Sequence, residues 1–440
     1  VVGYNNQLTS SGWSMVGGID NQVYNYSETS IVGGNSNQLD NSKRSMVVGY
    51  NNQLTSSGWS MVGGEINKLD NSKRSMVVGY NNHLIDSTHC MVVGEINKLT
   101  GSTHCLVGGQ TNNLTGSSYS MVVGEINKLT GSTHCIVGGT SNNITSSTDC
   151  MVVGGGIGEF IVAMNSLTSS SQCIVGGKTN NITSSSMSIV VGQANNITSS
   201  SHCIVGGLFN ELTDSTQCIV GGTSNDLTGS TYCIVGGQRN NLLTGSMQCI
   251  VGGELNEIHK SFGSMIVGYG NNINSGIHRN IVGGLKNTII PSGSDCIISG
   301  ESNEIDNSPR CMVIGGGNFT YEDEDPAKDV ITFKRNKITS SWGSIVGGMA
   351  NKLTSSVSCM VVGGGESVIN EPSDDDTDAA KLAYRGNRIS SSSYSIVSGQ
   401  NNKLENASYS MVGGENNIIY TSRCIVGGEA NEITDSNRCM

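Results

Sequence analysis

The chain has 440 residues and a formal charge of −11, with 60 glycines, four prolines and only 5% aromatic residues. So few aromatic residues exclude a large aromatic core, and an acidic chain without a basic stripe argues against a nucleic-acid partner. Every apolar run is far shorter than the roughly 20 residues of a membrane-spanning helix, so we expect no membrane insertion in this segment.

An internal repeat organises the chain. Residues 90–104, CMVVGEINKLTGSTH, return almost unchanged at 120–134. Counted from its opening residue, the unit has Cys or Ser at position 1, aliphatic residues at 2 and 3, Val or Gly at 4 and Gly at 5. Asn stands at position 8 and Leu or Ile at position 10. This segmentation gives about 26 units of 15 residues and a single repeat array over residues 1–440. The chain begins and ends inside a unit, so we expect a longer array.

Units this short, rich in Gly, Asn, Ser and Thr, predict strands and turns rather than helices. We expect one strand at positions 1–4, ended by glycine, and a second at positions 9–11. Two short strands per unit predict an all-β fold, a narrow parallel β-solenoid (β-roll) in which each unit is one coil. Equivalent residues would then stack about 4.8 Å apart, and 26 coils would span on the order of 120 Å.

The asparagine at position 8 predicts a structural ladder. Asparagine tolerates left-handed backbone at a corner, and its amide can hydrogen-bond to the copies above and below. Members spread along the chain are Asn6, Asn67, Asn97, Asn142, Asn210, Asn303 and Asn431.

Three units are enlarged before their position-8 asparagine, which predicts corner loops near 155–164, 316–335 and 364–386. The second and third loops are acidic. They are either solvated, mobile excursions or a Ca²⁺ site built from clustered carboxylates, although neither has EF-hand spacing. The candidate Ca²⁺ ligands are Asp323, Asp325, Asp374 and Asp376.

The unit resembles the head repeat of trimeric autotransporter adhesins of the YadA type, and related β-roll repeats of fibre and tail-fibre proteins. Residues 91–94 and 121–124, Met-Val-Val-Gly, match that register best. The resemblance implies a left-handed parallel β-roll that forms trimers. This chain departs from the pattern in its longer unit, its larger residue at position 10, its cysteines at position 1 and its asparagine at position 8.

The strand pattern separately predicts a homo-oligomer. Positions 2, 3 and often 4 are all apolar, as in Met91, Val92 and Val93. A strand with one wet face alternates apolar and polar residues, so we expect both faces of this strand to be buried. A two-strand coil has one interior, and the other face would therefore meet a partner chain.

Catalytic and cofactor chemistry are not indicated, and we expect neither an enzyme nor a bound cofactor. His89, His104, His134 and His202 each precede a cysteine, but the same position holds many residue types, as a surface site does. Adjacent strand residues also point to opposite faces, which prevents a His-Cys chelate within one coil. The glycine clusters lack the lysine and helix of a phosphate loop.

Two function classes remain. The first is a non-catalytic structural or adhesive fibre or shaft of a cell surface, virion or extracellular appendage, with a surface receptor or a glycan as its partner. The second is a β-solenoid that binds a ligand or a carbohydrate through its corner loops. A variant of this second class is a carbohydrate-active β-solenoid.

All 14 cysteines stand at position 1, mostly in consecutive coils. A spacing of about 4.8 Å between stacked Cα atoms lies inside the range for disulfides, so bridges between coils are feasible, and stacked free thiols are the alternative. The candidate bridge formers are Cys90, Cys105, Cys135, Cys150, Cys203, Cys218, Cys233, Cys249, Cys296, Cys311, Cys424 and Cys439.

Four asparagines at position 9 begin Asn-Leu-Thr or Asn-Ile-Thr sequences, which are acceptor motifs for N-glycosylation in secreted eukaryotic or viral proteins. They are Asn113, Asn143, Asn181 and Asn196.

Overall fold

The computed structural model describes residues 1–157, 162–243, 245–274, 277–290, 294–316, 320–321, 331–333, 336–364, 367–369, 382–383, 386–434 and 438–440. Its contacts divide the chain into two compact units, Val1–Asp214 and Ser215–Met440, called unit 1 and unit 2 below. Within the described residues, every regular element is a β-strand.

Each coil contains two strands, and in most coils the first is longer than the second, as in Met91–Glu95 and Lys98–Thr100. First strands pair in parallel with first strands, and second strands with second strands, usually in a register of 15 residues: Met91 lies opposite Leu106, and Lys98 opposite Asn113. The prediction of an all-β parallel β-solenoid with a repeat of about 15 residues and 25–26 coils is confirmed.

Unit 1 follows this scheme throughout. Its first strands are Val2–Tyr4, Met15–Ile19, Ile31–Asn35, Met46–Tyr50, Met61–Glu65, Met76–Tyr80, Met91–Glu95, Leu106–Gln110, Met121–Glu125, Ile136–Thr140, Met151–Ile157, Ile174–Lys178, Ile189–Gln193 and Ile204–Leu208. Its second strands are Gln7–Leu8, Gln22–Tyr24, Gln38–Asp40, Gln53–Thr55, Lys68–Asp70, His83–Ile85, Lys98–Thr100, Asn113–Thr115, Lys128–Thr130, Asn143–Thr145, Ser166–Thr168, Asn181–Thr183, Asn196–Thr198 and Glu211–Thr213.

Unit 2 repeats the scheme, and eight of its first strands are shortened to two or four residues. Its first strands are Ile219–Val220, Ile234–Val235, Ile250–Glu254, Met265–Tyr269, Ile281–Leu285, Ile297–Glu301, Met312–Gly315, Ile345–Gly348, Met360–Gly363, Ile396–Gly399, Met411–Val412 and Ile425–Val426. Its second strands are Asp226–Thr228, Asn241–Leu243, Glu257–His259, Asn272–Ile273, Thr288–Ile289, Glu304–Asp306, Lys337–Thr339, Lys352–Thr354, Arg388–Ser390, Lys403–Glu405, Ile418–Ile419 and Glu432–Ile433. A small parallel pair joins Ser261–Phe262 to Ile277–His278.

The core of a coil is one layer thick. Val92 at position 3 and Leu99 at position 10 point inward from the two strands and are fully buried. Side chains alternate across a strand, so the neighbours of Val92 at positions 2 and 4 must point away from this core. Stacked copies of positions 3 and 10 therefore form a continuous aliphatic column inside each unit.

The prediction that glycine ends the first strand is wrong for unit 1, where the strand continues through the position-5 glycine to position 6, as in Met91–Glu95. It holds for four coils of unit 2, whose first strands end at Gly315, Gly348, Gly363 and Gly399. Gly94 has a φ of 131°, and a Cβ atom there would overlap the carbonyl oxygen of Gly109 in the next coil. Glycine lets the ladder continue while the backbones approach closely, which is why it recurs at this position.

The three enlarged coils contain further strands. In the first, Met151–Ile157 pairs antiparallel with Val162–Ala163. In the other two, Thr320–Tyr321, Ile331–Phe333, Ser367–Ile369 and Leu382–Ala383 form one four-stranded antiparallel sheet. The two acidic insertions thus share a sheet, which sequence periodicity did not indicate, since antiparallel pairing follows no 15-residue repeat.

Candidate functional site

Asparagines at position 8 form a continuous hydrogen-bonded ladder inside each unit. Asn97 is fully buried, and its Nδ2 donates to Asn82 Oδ1 at 3.0 Å and to the Gly109 carbonyl at 2.9 Å. Its Oδ1 accepts from both the backbone N and the Nδ2 of Asn112, at 3.1 and 3.0 Å. One side chain thereby links three coils. Each predicted member takes part in the ladder of its own unit: Asn6, Asn67, Asn97, Asn142 and Asn210 in unit 1, and Asn303 and Asn431 in unit 2.

The expectation that the position-8 asparagine is chosen for left-handed backbone at a corner is wrong. The left-handed residues of the coil are at positions 7, 12 and 15, as at Ile96, Gly101 and His104, with φ of 56°, 60° and 58°. Asn97 itself has a negative φ and is kept for its amide. A β-branched residue such as Ile96 is strained in left-handed backbone.

A second ladder, of serine at position 13, was not predicted. Ser102 is fully buried, its Oγ donates to the Thr100 carbonyl at 3.2 Å, and it accepts from the backbone N of Ser117 at 3.1 Å. The recurrence of one small polar residue at a fixed position was the available signal. Serine there supplies an acceptor for an amide that faces the core and would otherwise be unpaired.

Position 1 places the cysteines in the interior. Cys424 and Cys439 form a disulfide between adjacent coils, with Cα atoms 4.5 Å apart. The other twelve are buried free thiols, so ten of the candidate bridge formers are unbridged in the structure. Their sulfurs contact backbone carbonyls, as Cys90 Sγ does at 3.3 Å from the Ser102 oxygen. The free cysteines are Cys90, Cys105, Cys135, Cys150, Cys173, Cys203, Cys218, Cys233, Cys249, Cys296, Cys311 and Cys359.

Burial is the main cause of the pKa shifts of three thiols, those of Cys296, Cys311 and Cys359. It raises the pKa of Cys296 to about 12, and it raises the pKa of Cys311 and Cys359 as well, because a thiolate is poorly solvated in the core. Cys90 and Cys105 share a hydrogen bond between their sulfurs. This bond raises the pKa of Cys90 and lowers the pKa of Cys105. A raised pKa favours the protonated thiol of Cys296, Cys311 and Cys359 at neutral pH, and the thiol is less nucleophilic than the thiolate.

The outer face of the first strands is apolar and exposed. Met91 and Val93 are 41% and 46% exposed, whereas Val92 between them is buried. The expectation that both faces of this strand are buried is therefore not met within one chain. Between Met15 and Ile204 of unit 1, the exposed apolar side chains of this face are Met15, Ile31, Met46, Met61, Met91, Leu106, Met121, Ile136, Met151, Ile174, Ile189 and Ile204 at position 2, and Val48, Val78, Val93, Val123, Val153 and Val191 at position 4. We call these eighteen side chains the apolar sheet face.

The residues at position 4 make this face uneven. Val48 and Val78 protrude on either side of Gly63, and a Cβ atom built on Gly63 would meet no other atom within 4 Å. Gly108 lies in the same way between Val93 and Val123. Ridges of valine therefore alternate with open gaps of glycine, as is required for interdigitation with another apolar surface.

The candidate Ca²⁺ ligands and the histidines that precede cysteines lie in different parts of the chain. Asp323, Asp325, Asp374 and Asp376 lie outside the described residues. Among the residues that the structure does describe, no group of three or more His, Cys, Asp or Glu side chains is placed to hold a metal ion. His89, His104, His134 and His202 are exposed, whereas each following cysteine is buried on the opposite side of the chain.

The proposed glycosylation sites are all in second strands, at position 9. Asn181 is exposed, and its Nδ2, the atom that would carry a sugar, donates to Asn196 Oδ1 at 3.1 Å. Asn113, Asn143 and Asn196 are half-buried. Glycosylation stays a prediction, and intact-mass analysis of the protein produced through a eukaryotic secretory pathway tests it.

Parallel coils with stacked asparagine, serine and cysteine define a β-solenoid repeat protein. Comparison with protein-family models finds no match, and comparison with curated proteins finds no relative. In the described part of the chain, no helix is long and apolar enough to span a membrane.

Proposed function

We propose that this protein is a non-catalytic structural or adhesive shaft that works outside the cell or on a virion surface as a homo-oligomer, with a trimer favoured. The observation that carries the proposal is the apolar sheet face. Soluble monomers rarely expose a contiguous apolar surface of this extent, and such a surface marks a contact with another protein.

The size of the face is sufficient for stable association. Burying an aliphatic side chain contributes about 1.5–3 kcal/mol, which at about 25 cal/mol per Å² corresponds to about 60–120 Å² of apolar surface. A side chain that is 40–50% exposed therefore has about 40 Å² left to bury against a partner. Eighteen such side chains amount to ~700 Å², close to the ~800 Å² that each partner contributes to a standard interface. The same face on every copy suits a closed, symmetric oligomer, which also agrees with the resemblance to trimeric head repeats.

A shaft predicts that length follows coil number, because each coil contacts only its neighbours. Residues 60–119 span four complete coils, and their removal leaves the register of positions 1–15 intact. In electron micrographs we expect rods of constant width that this deletion shortens by ~20 Å. Compact particles, or a deletion that abolishes folding, would contradict the proposal.

A second candidate function is ligand or carbohydrate binding by the corner loops. It is supported by the four-stranded antiparallel sheet that joins the two acidic insertions, because a shared sheet holds them as one structural element. Replacing 317–335 and 366–385 with short glycine-serine linkers should abolish glycan-array binding if this sheet is the site, and should leave rod assembly unchanged.

A further inference from the structure

A row of cationic and aromatic side chains runs along one corner of unit 1. It consists of the position-15 side chains of the seven consecutive coils from Arg44 to His134, together with Lys43 and Lys73 at position 14. All of them are exposed, and we call the row the basic-aromatic ridge. One buried residue, at position 1, separates it along the chain from position 2 of the apolar sheet face, as Cys105 separates His104 from Leu106.

The backbone fixes the spacing of the ridge. Its seven position-15 residues are all left-handed, with φ between 54° and 64°. Each backbone N–H donates to the coil before, as His104 does to the Thr88 carbonyl at 3.0 Å and Tyr119 to the Thr103 carbonyl at 2.9 Å. Successive side chains therefore leave the surface in the same direction, about 4.8 Å apart, without a binding partner to order them.

Four rings of the ridge stack on one another. The centroids of His89 and His104 are 4.7 Å apart with planes within 2°, and those of His104 and Tyr119 are 4.8 Å apart within 8°. Tyr119 and His134 are 5.1 Å apart within 5°. The facing surfaces of these rings are thus occupied by each other, and their polar edges, with imidazole nitrogens and a phenol oxygen, remain available to a ligand.

Permanent positive charge occupies the other half of the ridge. The Arg44 guanidinium lies 4.4 Å from the Trp59 ring centroid, and Arg74 Nη1 lies 3.3 Å from His89 Nε2. With Lys43 and Lys73, the cations come in pairs two coils apart, a spacing of about 10 Å. Two carboxylates contact the ridge at its ends: Glu28 lies 3.7 Å from Lys43, and Asp149 lies 3.9 Å from His134.

We propose that the basic-aromatic ridge binds an acidic polysaccharide, such as a sulfated or uronate-containing glycan, laid lengthwise along the coils. The proposal rests on the proposed adhesive function and gives it a ligand class. Paired cations would bind sulfate or carboxylate groups, and the ring edges would hydrogen-bond to sugar hydroxyls.

A nucleic acid fits this ridge less well. Duplex DNA carries one charge per roughly 1.7 Å, far denser than cations spaced about 10 Å apart. Single strands bind by stacking bases on free aromatic faces, and here His89, His104, Tyr119 and His134 already face each other.

The test measures binding of the full chain to immobilised chondroitin sulfate, with neutral dextran as the blank. The ridge variant removes four cations: Lys43→Gln, Arg44→Gln, Lys73→Gln and Arg74→Gln. The control variant removes four exposed lysines of unit 1 that lie outside the ridge: Lys68→Gln, Lys98→Gln, Lys128→Gln and Lys178→Gln. We expect the dissociation constant to rise at least about tenfold for the ridge variant and less than about twofold for the control variant.

A measurement on the unaltered protein accompanies the variants. Bound chondroitin sulfate should protect Lys43 and Lys73 from acetylation, as read by mass spectrometry, and should leave Lys68 and Lys98 reactive. Equal losses in both variants, uniform protection, no binding, or tighter binding of single-stranded DNA would each overturn the proposal. The molar mass of the protein is recorded in parallel. An oligomer that does not bind the glycan would contradict only the proposed ligand of the ridge, whereas a monomer would contradict the proposed shaft itself.

Discussion

At the scale of the residue, the asparagine ladder makes the most specific demand on side-chain chemistry. Changing Asn97 to aspartate keeps its shape but removes the two hydrogen bonds that Nδ2 donates to Asn82 Oδ1 and the Gly109 carbonyl. A buried carboxylate would then face two acceptor oxygens. We expect Asn97→Asp to destabilise the protein by about 3 kcal/mol or more, measured by thermal and urea unfolding.

The matched control is Asn181→Asp, at an exposed position of the second strand. There the change should cost less than about 0.5 kcal/mol. Similar costs at the two positions would mean that the ladder does not contribute to stability.

These residues also show what the sequence could and could not predict. A strictly repeated polar residue in a solenoid must face its own copies, so the ladder at Asn97 follows from the repeat alone. The left-handed corner residue did not follow, because position 7 holds residues as different as Ile96 and Asn81, both with positive φ. The backbone conformation there is imposed by hydrogen bonds between coils, such as that from Ile96 N to the Tyr80 carbonyl at 2.9 Å.

At the scale of the strand, two glycines of neighbouring coils have opposite roles. Gly94 at position 5 has no room for a Cβ atom beside the backbone of Gly109, whereas Gly108 at position 4 faces open space. We expect Gly94→Ala to destabilise the protein by about 3–5 kcal/mol, and Gly108→Ala to be neutral or stabilising by up to ~1 kcal/mol. Unfolding curves of the two variants, recorded side by side, check this. Equal effects would show that the first strands do not approach as closely as described.

The thiols test the interior of the same coils. In denaturant without reductant, titration should find twelve free thiols per chain, because only Cys424 and Cys439 are bridged. In the native state nearly all of the twelve should be unreactive, since they are buried. Reduction before titration supplies the control and should give fourteen. A value of two or fewer would instead mean that the stacked thiols are joined between coils.

At the scale of the whole molecule, the sequence predicted the solenoid because its periodicity leaves few alternatives, and it pointed to the outer apolar face through the unbroken aliphatic run at positions 2–4. What it could not predict was the stacked rings from His89 to His134, or the antiparallel sheet of Thr320–Tyr321, Ile331–Phe333, Ser367–Ile369 and Leu382–Ala383. The sheet has no periodicity, and the stacked rings are visible only when residues fifteen apart are placed side by side.

The measurement that tests the account most directly is molar mass in solution, by sedimentation or light scattering, for the parent and two variants. One variant places charge on the apolar sheet face through Met91→Lys, Leu106→Lys and Met121→Lys. The control places the same charges on the second strands of the same three coils through Thr100→Lys, Thr115→Lys and Thr130→Lys. The account predicts a mass about three times 46.0 kDa for the parent and the control, and a folded species of 46.0 kDa for the sheet-face variant, because three buried ammonium groups are incompatible with the interface. A monomeric parent, or a sheet-face variant that stays assembled, would contradict it.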